Sequence, residues 1–552
     1  METKNPGFAS GFSCLKAAAS DNVQGTPLTD ALVASQVGST EFGCDKDYPL
    51  HRSRLARVSG LTALALALTM SAAAAQVRGD PCSPLTYGAV GDGVTDNTTA
   101  IQSAISACAR VGGGAVRLYV DEGKGTYLTG PISLASHVRL QIDKGVTLLA
   151  TTDHTKYHVA FLNYPYHANE ALVSAYQAVD TGIIGPGTID GQGGAPAFGG
   201  GPSWWKLTQP SGATIDGTTW YAAPYADIPI SNGVPRPWLV EFYQCDNVAV
   251  NHITLTNAPM WNLVFRYSNH ITVSEYTATV TPDPLIAHTD GIDLVGSSYA
   301  TLMFLNIATG GDAVALKSGL PLNVPIADNP NEAGLPQLPT HDVQIVNSTF
   351  TNGNGIVIGS EAVNGVYNVV ARNIVENNTG NGLLIKSSRA RGSHATGVYN
   401  IMAQNLTLTS VRQPLAISAY DPTVGGPVER PNDPPQAITA LTPNIHDITI
   451  SGLTATAATA ESLIVGLPES CIRNVTLSNV SITGRSAGLR LRNMTGAFTN
   501  VTSTLPNEDP QFVVQKNVTV TTAGTMPAIT NTPPLGSQMT PPGLPCGRNP
   551  EN

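Results

Sequence analysis

The feature that most constrains the fold is a short unit that recurs along the second half of the chain. Each copy places a polar or aromatic turn residue before a run rich in β-branched residues, at 247–250, 269–273, 341–345, 367–370, 446–450, 474–477 and 500–502. The first two copies start 22 residues apart and the last two start 26 residues apart. One such unit cannot bury its own apolar face, whereas stacked units share a continuous core. The repeat therefore predicts an all-β chain that folds as a single right-handed parallel β-helix.

One segment ahead of this repeat has helical spacing. A Gly-rich turn leads to Asp96, a residue type favoured as an N-cap. An apolar stripe at helical spacing follows, formed by Ala100, Ile101, Ala104, Ile105 and Cys108. Three glycines at 112–114 end the segment. We predict a helix over 96–110 that caps the open N-terminal end of the stack.

The N-terminal region has the pattern of an export signal. Residues 51–57 are basic, 61–70 form a short apolar run and 71–75 are small, which is the order found in secretory signal peptides. The apolar run is too short to span a bilayer securely. We predict a signal peptide over 51–75 with cleavage near Ala75, so that the mature chain is secreted, extracellular or periplasmic, and is not in a membrane.

The remaining boundaries follow from this signal. Residues 1–50 precede it, and we expect them to be an upstream extension without a structured role. The mature β-helix domain then covers 76–552. Its last part, from about 503, is rich in Pro and Thr and is expected to form a tail.

The charge of the chain narrows the classes of partner. Asp and Glu number 39 against 29 Lys and Arg, which gives a net charge of −10. This argues against nucleic acid, because binding to it needs Lys and Arg to neutralise phosphates. An acidic polysaccharide stays possible, since only the local field of a cleft matters there. No Cys/His spacing resembles a zinc site. We expect a monomer without a metal or a cofactor.

Five cysteines fall in the predicted mature chain, and export permits them to form disulfides. Cys82–Cys108 and Cys471–Cys546 are plausible pairs at the two ends, which would leave Cys245 buried and free. Five cysteines do not by themselves fix this pairing.

Chemistry-bearing side chains concentrate in 288–319. Asp290 and Asp312 are 22 positions apart, close to one turn of a repeat of ~20–30 residues. Residues one turn apart in a strand solenoid stack side by side, so the two carboxylates could share one site. Paired carboxylates are the equipment of glycoside hydrolysis. The same Asp-Gly and Gly-Asp pairs are also ordinary turn punctuation between strands.

Four motifs occur in order along this repeat. They read His-Thr-Asp-Gly-Ile-Asp at 288–293, Gly-Gly-Asp-Ala-Val-Ala-Leu-Lys-Ser-Gly at 310–319, Gly-Asn-Gly-Ile-Val-Ile-Gly-Ser-Glu at 353–361 and Gly-Leu-Leu-Ile-Lys-Ser at 382–387. Over roughly 80–500 the chain resembles glycoside hydrolase family 28, the polygalacturonases, and is most similar to its secreted bacterial members. The resemblance implies a pectin-lyase-like solenoid that hydrolyses an acidic plant-cell-wall polysaccharide of the galacturonan type with inversion.

The resemblance also implies roles for particular residues. Asp290 and Asp312 match the two carboxylates that activate water, and we take them as the catalytic pair. The expected substrate-binding residues are His288, Asn354, Lys386 and Lys317.

Each motif departs from the family's pattern. His288 stands in place of Asn, Asn354 in place of His and Leu384 in place of Arg. The first Asp of the family's Gly-Asp-Asp is replaced by Gly311, and this Asp is the residue to which the acid role is usually given. Loss of a general acid is typically worth ~10²–10⁴ in rate. Leu384 removes a guanidinium fork for a substrate carboxylate.

Three functions therefore stay open. The chain could be a hydrolase in which repulsion between Asp290 and Asp312 raises the pKa of one of them, so that this carboxyl keeps a proton. His288 is another possible donor. The chain could instead be a catalytically silent polysaccharide-binding protein on the same scaffold. A polysaccharide lyase is the third possibility, although the sequence has no evident Asp/Glu cluster for calcium.

The missing acid generates a prediction. Gly311→Asp should raise the initial rate of reducing-end release from polygalacturonate by up to ~10²-fold, because it restores a carboxyl at the acid position. We expect a small cost to the fold unless Gly311 has a positive φ. A wild type that is already fast, with no gain in the variant, would mean that another residue serves as the acid.

Overall fold

The computed structural model describes residues 79–531 and Cys546, with gaps at 159, 161, 163–165, 209–235, 284–285, 287, 320–334, 422–432, 486–487, 505–511 and 526–528. These residues belong to one compact unit that spans Ala74–Asn552. The predicted extension over 1–50 and the signal peptide with its cleavage near Ala75 lie outside the described residues.

Thirteen of the strands in the described residues form one parallel sheet, which we call the 13-stranded sheet. Its strands, in chain order, are β4 (Ile132–Leu134), β7 (Ala171–Tyr176), β10 (Trp238–Tyr243), β13 (Leu263–Arg266), β16 (Ile292–Val295), β19 (Asp312–Lys317), β21 (Asn354–Ile358), β23 (Asn381–Lys386), β25 (Gln413–Ser418), β27 (Ser462–Val465), β29 (Leu489–Arg492), β31 (Phe512–Val514) and β33 (Ile529–Asn531).

The other strands form the 20-stranded sheet. They are β1 (Asp92–Asp96), β2 (Gly114–Leu118), β3 (Thr126–Thr129), β5 (Val138–Ile142), β6 (Thr147–Ala150), β8 (Val179–Ile184), β9 (Thr188–Asp190), β11 (Asp246–Asn251), β12 (Thr254–Thr256), β14 (Asn269–Ser274), β15 (Thr277–Thr279), β17 (Ser298–Met303), β18 (Asn306–Ala308), β20 (Thr340–Thr351), β22 (Val366–Asn377), β24 (Val398–Thr409), β26 (Ile445–Ala458), β28 (Ile472–Gly484), β30 (Met494–Thr504) and β32 (Val518–Ala523). In the described ranges, three short 3-10 helices (Pro84–Tyr87, His154–Lys156 and Lys206–Thr208) connect elements.

The chain passes between the two sheets once per turn. Each internal strand of the 13-stranded sheet pairs in parallel with the strand one turn earlier and one turn later, as β19 does with β16 and β21. The prediction of a right-handed parallel β-helix is confirmed. A right-handed sense is also the rule for crossovers between parallel strands.

The core is built from rows of apolar side chains at equivalent positions of successive turns. One fully buried row lies near the N-terminal ends of successive strands in the 13-stranded sheet. It contains Leu263, Ile292, Val314, Ile356, Leu383 and Leu415. Burying one such side chain contributes roughly 1.5–3 kcal/mol. Each turn therefore depends on its neighbours for the burial that stabilises it.

A single α-helix in the described residues, α1 (Thr98–Arg110), packs against the first turns, and its apolar stripe is buried as predicted. The residue before the helix is Asn97, and its side chain hydrogen bonds to Val90 and Leu128 instead of capping the helix. Asp96, the predicted N-cap, lies one position earlier, where its carboxylate accepts a hydrogen bond from the Thr98 backbone N–H at 2.9 Å. No helix among the described residues is long and apolar enough to cross a membrane.

The disulfides pair as the sequence suggested. Cys82 bonds to Cys108 on α1, Cys471 bonds to Cys546, and Cys245 is free and buried. The described part of the segment after 503 adds β31, β32 and β33 to the two sheets. This segment therefore continues the stack up to Asn531, whereas its composition suggested a tail.

Ladders of asparagine side chains line the bends between strand segments. Asn373 Nδ2 donates to Asn347 Oδ1 at 2.9 Å, and Asn405 Nδ2 donates to Asn373 Oδ1 at 3.2 Å. All three residues have positive φ, between 53° and 58°. Asn tolerates this left-handed conformation better than other residues with a Cβ. The repeated Asn of the sequence thus serves both the backbone geometry and the contact between turns.

We expect Asn373→Ala to lower the free energy of unfolding by ~2 kcal/mol, since it combines left-handed strain with the loss of two hydrogen bonds. Asn373→Gly relieves the strain and loses only the hydrogen bonds, so it should be more stable than the Ala variant by ~1 kcal/mol. Chemical denaturation of the three proteins measures both differences. Equal losses in the two variants would show that backbone conformation does not select Asn at this bend.

Candidate active site

The predicted carboxylates lie where strands of the 13-stranded sheet begin. Asp312 pairs in register with Asn354 on the next turn, and Asp290 precedes by two residues the Ile292 that pairs with Val314. One turn beyond Asn354, at the start of β23, lies Asn381. We call Asp290, Asp312, Asn354 and Asn381 the carboxylate–amide row.

Hydrogen bonds connect this row from end to end. The Asp312 backbone N–H donates to Asp290 Oδ1 at 3.0 Å, and Asn354 Nδ2 donates to Asp312 Oδ1 at 2.8 Å. Asn381 Nδ2 then donates to Asn354 Oδ1 at 2.8 Å. A backbone nitrogen and its own carboxylate are at most ~5 Å apart. The carboxyl groups of Asp290 and Asp312 therefore lie less than roughly 10 Å apart, which is the upper end of the separation in inverting glycosidases.

Both carboxyl groups are largely buried, with 5% of Asp290 and 8% of Asp312 exposed. Burial, reinforced by the neighbouring Asp312 carboxylate, raises the pKa of Asp290 to about 7. Lys317 and Lys386 oppose this shift. A carboxyl with this pKa keeps its proton at mildly acidic pH, so Asp290 can act as a proton donor there.

Gly311 lies against Asp290. A Cβ at Gly311 would overlap Asp290 Oδ1 and lie 2.8 Å from the Asp290 backbone nitrogen. The Asp290 carboxyl thus occupies space beside the missing side chain. The expected small cost of Gly311→Asp to the fold is wrong, because the Asp290 side chain would have to move although φ of Gly311 is not in the left-handed region.

His288 is half-buried at the edge of the row. Burial, together with the charge of Arg236, lowers the pKa of His288 to about 4. The imidazole is therefore neutral above that pH and is a poor source of a proton in the neutral range. It can still donate or accept a hydrogen bond.

Lys317 is 5% exposed and belongs to a buried ionic network. Its Nζ lies 3.5 Å from Glu361 Oε2 and 3.9 Å from Asp293 Oδ1. Burial opposes the charge of Lys317, but the carboxylates of Glu361 and Asp293 outweigh it and hold the pKa of Lys317 above its usual range. Asp293 is a buried strand residue on β16. Lys317 is thus bound to protein carboxylates, so it supports the site electrostatically.

Lys386 lies at the far end of β23, five residues beyond Asn381, and so does not belong to the carboxylate–amide row. Its positive charge is nevertheless close enough to act on both Asp290 and His288. In each case it favours a lower pKa, and for Asp290 the effect of burial is larger. Among the described residues it forms no ion pair, and its side chain is half-buried. Leu384, on the same face of β23, is half-buried too. Lys386 is therefore available for an anionic ligand.

Two arginines that follow Lys386 in sequence are engaged elsewhere. Arg389 lies 2.7 Å from Asp433 and 2.5 Å from Glu469, and Arg391 lies 2.8 Å from Glu361. These ion pairs join the segment that follows β23 to loops of other turns.

A stacked pair of tryptophans closes the row on the side of the earlier turns. The rings of Trp238 and Trp261 are 5.2 Å apart and nearly parallel, and both are buried. Lys317 Nζ lies 5.2 Å from the centre of the Trp261 ring. With Val264 and Val295 they form a small apolar cluster on the outer face of the 13-stranded sheet. The described surface of the row is therefore most accessible toward the later turns.

Comparison with known proteins now decides the family. The profile of glycosyl hydrolases family 28 matches residues 113–505. The chain belongs to glycosyl hydrolases family 28. It is a glycoside hydrolase by descent, as the four motifs predicted.

Relatives in family 28 cover most of the chain. An endo-polygalacturonase of Pectobacterium parmentieri is 30% identical over 401 residues, which cover 70% of this chain and 85% of that protein. The solved polygalacturonase from Erwinia carotovora ssp. carotovora is 28% identical with a TM-score of 0.56, covering 74% of this chain and 94% of that one. A hyperthermoactive exopolygalacturonase from Thermotoga maritima, 23% identical with a TM-score of 0.57 over 75% of this chain and 91% of its own, supports the fold alone.

Sequence reasoning missed two residues of the site. Asn381 continues the row, and its signal was present, because Gly-Asn-Gly occurs both at 353–355 and at 380–382. Glu376 had no signal, since it lies within a strand of the 20-stranded sheet among apolar residues. A Cβ at Gly355, next to Asn354, would overlap the Glu376 carboxyl, which is fully buried beneath the row.

Burial raises the pKa of Glu376 to about 8, and a hydrogen bond of 2.8 Å from the Thr379 hydroxyl opposes this shift. Because this value exceeds the value of 4.5 expected without burial, the folded protein keeps a proton that the unfolded chain loses. The contribution of Glu376 to stability is therefore fully present below about pH 4.5 and is lost as the pH rises toward 8.

We expect Glu376→Gln to remove this pH dependence. Between pH 5 and 8, the wild type should lose up to ~3 kcal/mol more free energy of unfolding than the variant. Denaturant titrations at several pH values measure the difference. The exposed Glu122→Gln serves as the matched control and should follow the wild type. Parallel pH profiles for the wild type and Glu376→Gln would mean that Glu376 is ionised in the folded protein.

Proposed function

We propose that the protein hydrolyses the glycosidic bonds of a pectic, galacturonan-type polysaccharide by a two-carboxylate inverting mechanism. The observation that carries this proposal is the hydrogen-bonded pair of Asp290 and Asp312 on successive turns, with Lys386 nearby, which forms no ion pair among the described residues. The polygalacturonase names of the relatives support the substrate class.

In this mechanism Asp290 is the acid. Its pKa of about 7 keeps it protonated at mildly acidic pH, and its carboxyl lies beside Gly311, where the family places its usual acid. Asp290 gives its proton to the departing glycosidic oxygen as the bond to the anomeric carbon breaks. Without this proton an alkoxide would have to leave.

Asp312 is the base. Its Oδ1 accepts the hydrogen bond from Asn354 Nδ2, which fixes the carboxylate's orientation. Asp312 takes a proton from a water molecule as that water attacks the anomeric carbon on the face opposite the leaving group, so the configuration inverts. In one turnover Asp290 loses one proton and Asp312 gains one, so the total number of protons on the two carboxyl groups does not change.

Lys386 is proposed to bind a uronate carboxylate of the substrate, and neutral His288 to donate a hydrogen bond to the sugar. Lys386 forms no ion pair within the described part of the chain, so binding a carboxylate there would break no described ion pair. Lys317 keeps its place in the ionic network and contributes positive potential at the site. We further propose that the chain is exported after cleavage near Ala75, because the basic and apolar segments of 51–75 have the order of a signal peptide.

We expect Asp290→Asn and Asp312→Asn each to lower kcat on polygalacturonate by ~10²–10⁴-fold, while the exposed Asp121→Asn changes little. The wild-type kcat/KM should fall as the pH rises through about 7, because Asp290 must hold its proton to act as the acid. Reducing-end release across pH 4–9 measures both effects. Full activity of Asp290→Asn at its optimum pH would rule out the acid role of Asp290.

The structure changes the expectation for Gly311→Asp in this assay. The new side chain displaces the Asp290 carboxyl, so we now expect no gain over the wild type. A large gain would show that Asp290 is not the acid and that the family's usual arrangement can be rebuilt.

A silent polysaccharide-binding protein is the second candidate function. The absence of a carboxyl at Gly311 favours it, because the family's usual acid is missing. Binding of polygalacturonate without release of reducing ends or of unsaturated products would support this function. Unsaturated products, detected by their ultraviolet absorbance, would instead indicate a lyase.

A further inference from the structure

Glu376 is a titratable residue in the apolar core beneath the carboxylate–amide row, and the proposed mechanism does not use it. It lies on β22 in an inward-facing position, where its neighbours in register are Phe350 on β20 and Leu408 on β24. All three side chains are fully buried. An ionisable side chain among apolar ones costs stability unless it is neutral or hydrogen-bonded. A leucine or a phenylalanine, as in the neighbouring turns, would fill the same space without that cost.

The carboxyl of Glu376 reaches across the core to the 13-stranded sheet. A Cβ at Gly355 would overlap both oxygens of this carboxyl, so the carboxyl packs directly on the Cα of Gly355. Gly355 follows Asn354, whose side chain donates to Asp312 and orients it. A larger residue at position 355 would displace the Glu376 carboxyl. The carboxyl therefore supports the start of β21 from inside the core.

A second contact joins Glu376 to the turn that leads to Asn381. The Thr379 hydroxyl donates to Glu376 Oε2 at 2.8 Å, and both residues are buried. Two residues later, Asn381 donates to Asn354 Oδ1 through its backbone nitrogen at 3.1 Å and through its side chain at 2.8 Å. Glu376 thus contacts the chain next to both amides of the row, at Gly355 beside Asn354 and at Thr379 shortly before Asn381.

The surroundings of Glu376 favour the neutral acid. Phe350 and Leu408 flank it, Gly355 faces it across the core and Thr379 offers one hydroxyl. Oε1 is buried and has no hydrogen-bond donor among the residues that the structure describes. Burial accordingly raises the pKa of Glu376 to about 8, although the Thr379 hydroxyl opposes this shift. An ionised carboxylate at this place would need new donors, and it could reach them only by leaving the Cα of Gly355.

The charged or titratable side chains of the strands packed against Glu376 do not offset such a charge. β21 carries none, and those of β20, β22 and β24 lie at partly or fully exposed positions, namely His341, Asp342, Tyr367, Arg372 and Tyr399. Within the described residues no cation acts on Glu376. The carboxylate that the row places above it is Asp312, connected to Gly355 through Asn354. Ionisation of Glu376 would therefore add a second, uncompensated negative charge beneath Asp312.

We propose that Glu376 is a positioning residue of the active site, whose protonated carboxyl holds the amides of Asn354 and Asn381 in place and whose ionisation releases them. The inference rests on the proposed hydrolysis, in which these amides orient the base. When the carboxyl ionises, it draws away from β21, the start of that strand shifts, and the hydrogen bond from Asn354 to Asp312 is lost. Asp312 then lacks the orientation in which it takes a proton from the attacking water. The core beneath the row thereby limits activity at alkaline pH, separately from the titration of Asp290.

The ratio of kcat for Glu376→Gln to kcat for the wild type, measured on polygalacturonate as a function of pH, tests this inference. Glutamine has the shape of the neutral acid and cannot ionise, so the ratio should be within about twofold of one at pH 6 and should rise to about tenfold at pH 9. The titration of Asp290 affects both proteins equally and cancels in the ratio. Glu376→Leu and Thr379→Val lose the hydrogen bond without placing a charge in the core, and each should lower kcat about fivefold at pH 6 with little change in KM.

Glu122→Gln is the matched control, since Glu122 is an exposed glutamate. Its kcat should follow that of the wild type at every pH. Circular dichroism establishes the pH range in which each protein is folded, and the ratio is taken within that range. If Glu376→Leu does not fold, the ratio for Glu376→Gln and the kcat of Thr379→Val decide. A ratio for Glu376→Gln that stays constant from pH 6 to pH 9 would overturn the inference, as would an undiminished kcat of Thr379→Val at pH 6.

Hydrogen exchange separates this inference from the proposed function, because it needs no turnover. After correction for the intrinsic pH dependence of exchange, peptides that contain β21 or the turn at 378–381 should exchange faster at pH 9 than at pH 6, relative to peptides of β10. Glu376→Gln should not show this change. Its presence in a wild type that releases no reducing ends would support positioning by Glu376 and overturn hydrolysis. Hydrolysis with a constant ratio and no such change in exchange would overturn the inference and leave the proposed function standing.

Discussion

In-register stacking of parallel strands is the constraint on which the rest of this protein depends. Since neighbouring strands lie ~4.8 Å apart, equivalent residues of successive turns become contact neighbours although ~20–30 residues separate them in sequence. Apolar residues at such positions form the core, with Ile292 packed between Leu263 and Val314. Asn residues at the bends form hydrogen-bonded ladders. The same rule places two carboxylates side by side.

Stacking also sets the electrostatics of the site. Asp290 and Asp312 cannot separate without breaking the register of β16 and β19, so burial and mutual repulsion act on a fixed pair. The buried network of Lys317, Asp293 and Glu361 supplies compensating charge one row away. A carboxyl that keeps its proton near neutral pH is costly to bury ionised, and it is useful as an acid. The fold therefore raises the pKa of the Asp290 carboxyl although position 311 carries a glycine and no carboxyl.

The repeating scaffold also sets the order of the candidate-site side chains along the solenoid axis. Along the axis the row changes from stacked Trp238 and Trp261 to carboxylates, and then to the amides of Asn354 and Asn381. This order gives the site a direction. Buried aromatic rings lie at the end toward the earlier turns, and half-buried amides lie toward the later turns.

The sequence by itself determined the solenoid, its capping helix, the disulfide pairs it favoured and the stacking of Asp290 with Asp312. These features follow from local patterns repeated at a fixed period, and such patterns are visible in one dimension. Only the tertiary structure decided that Lys317 is bound in an ionic network, that the Asp290 carboxyl lies beside Gly311 and that Glu376 lies under the row. Burial, side-chain direction and charge pairing depend on neighbours from other turns and loops, and no spacing along the chain encodes them.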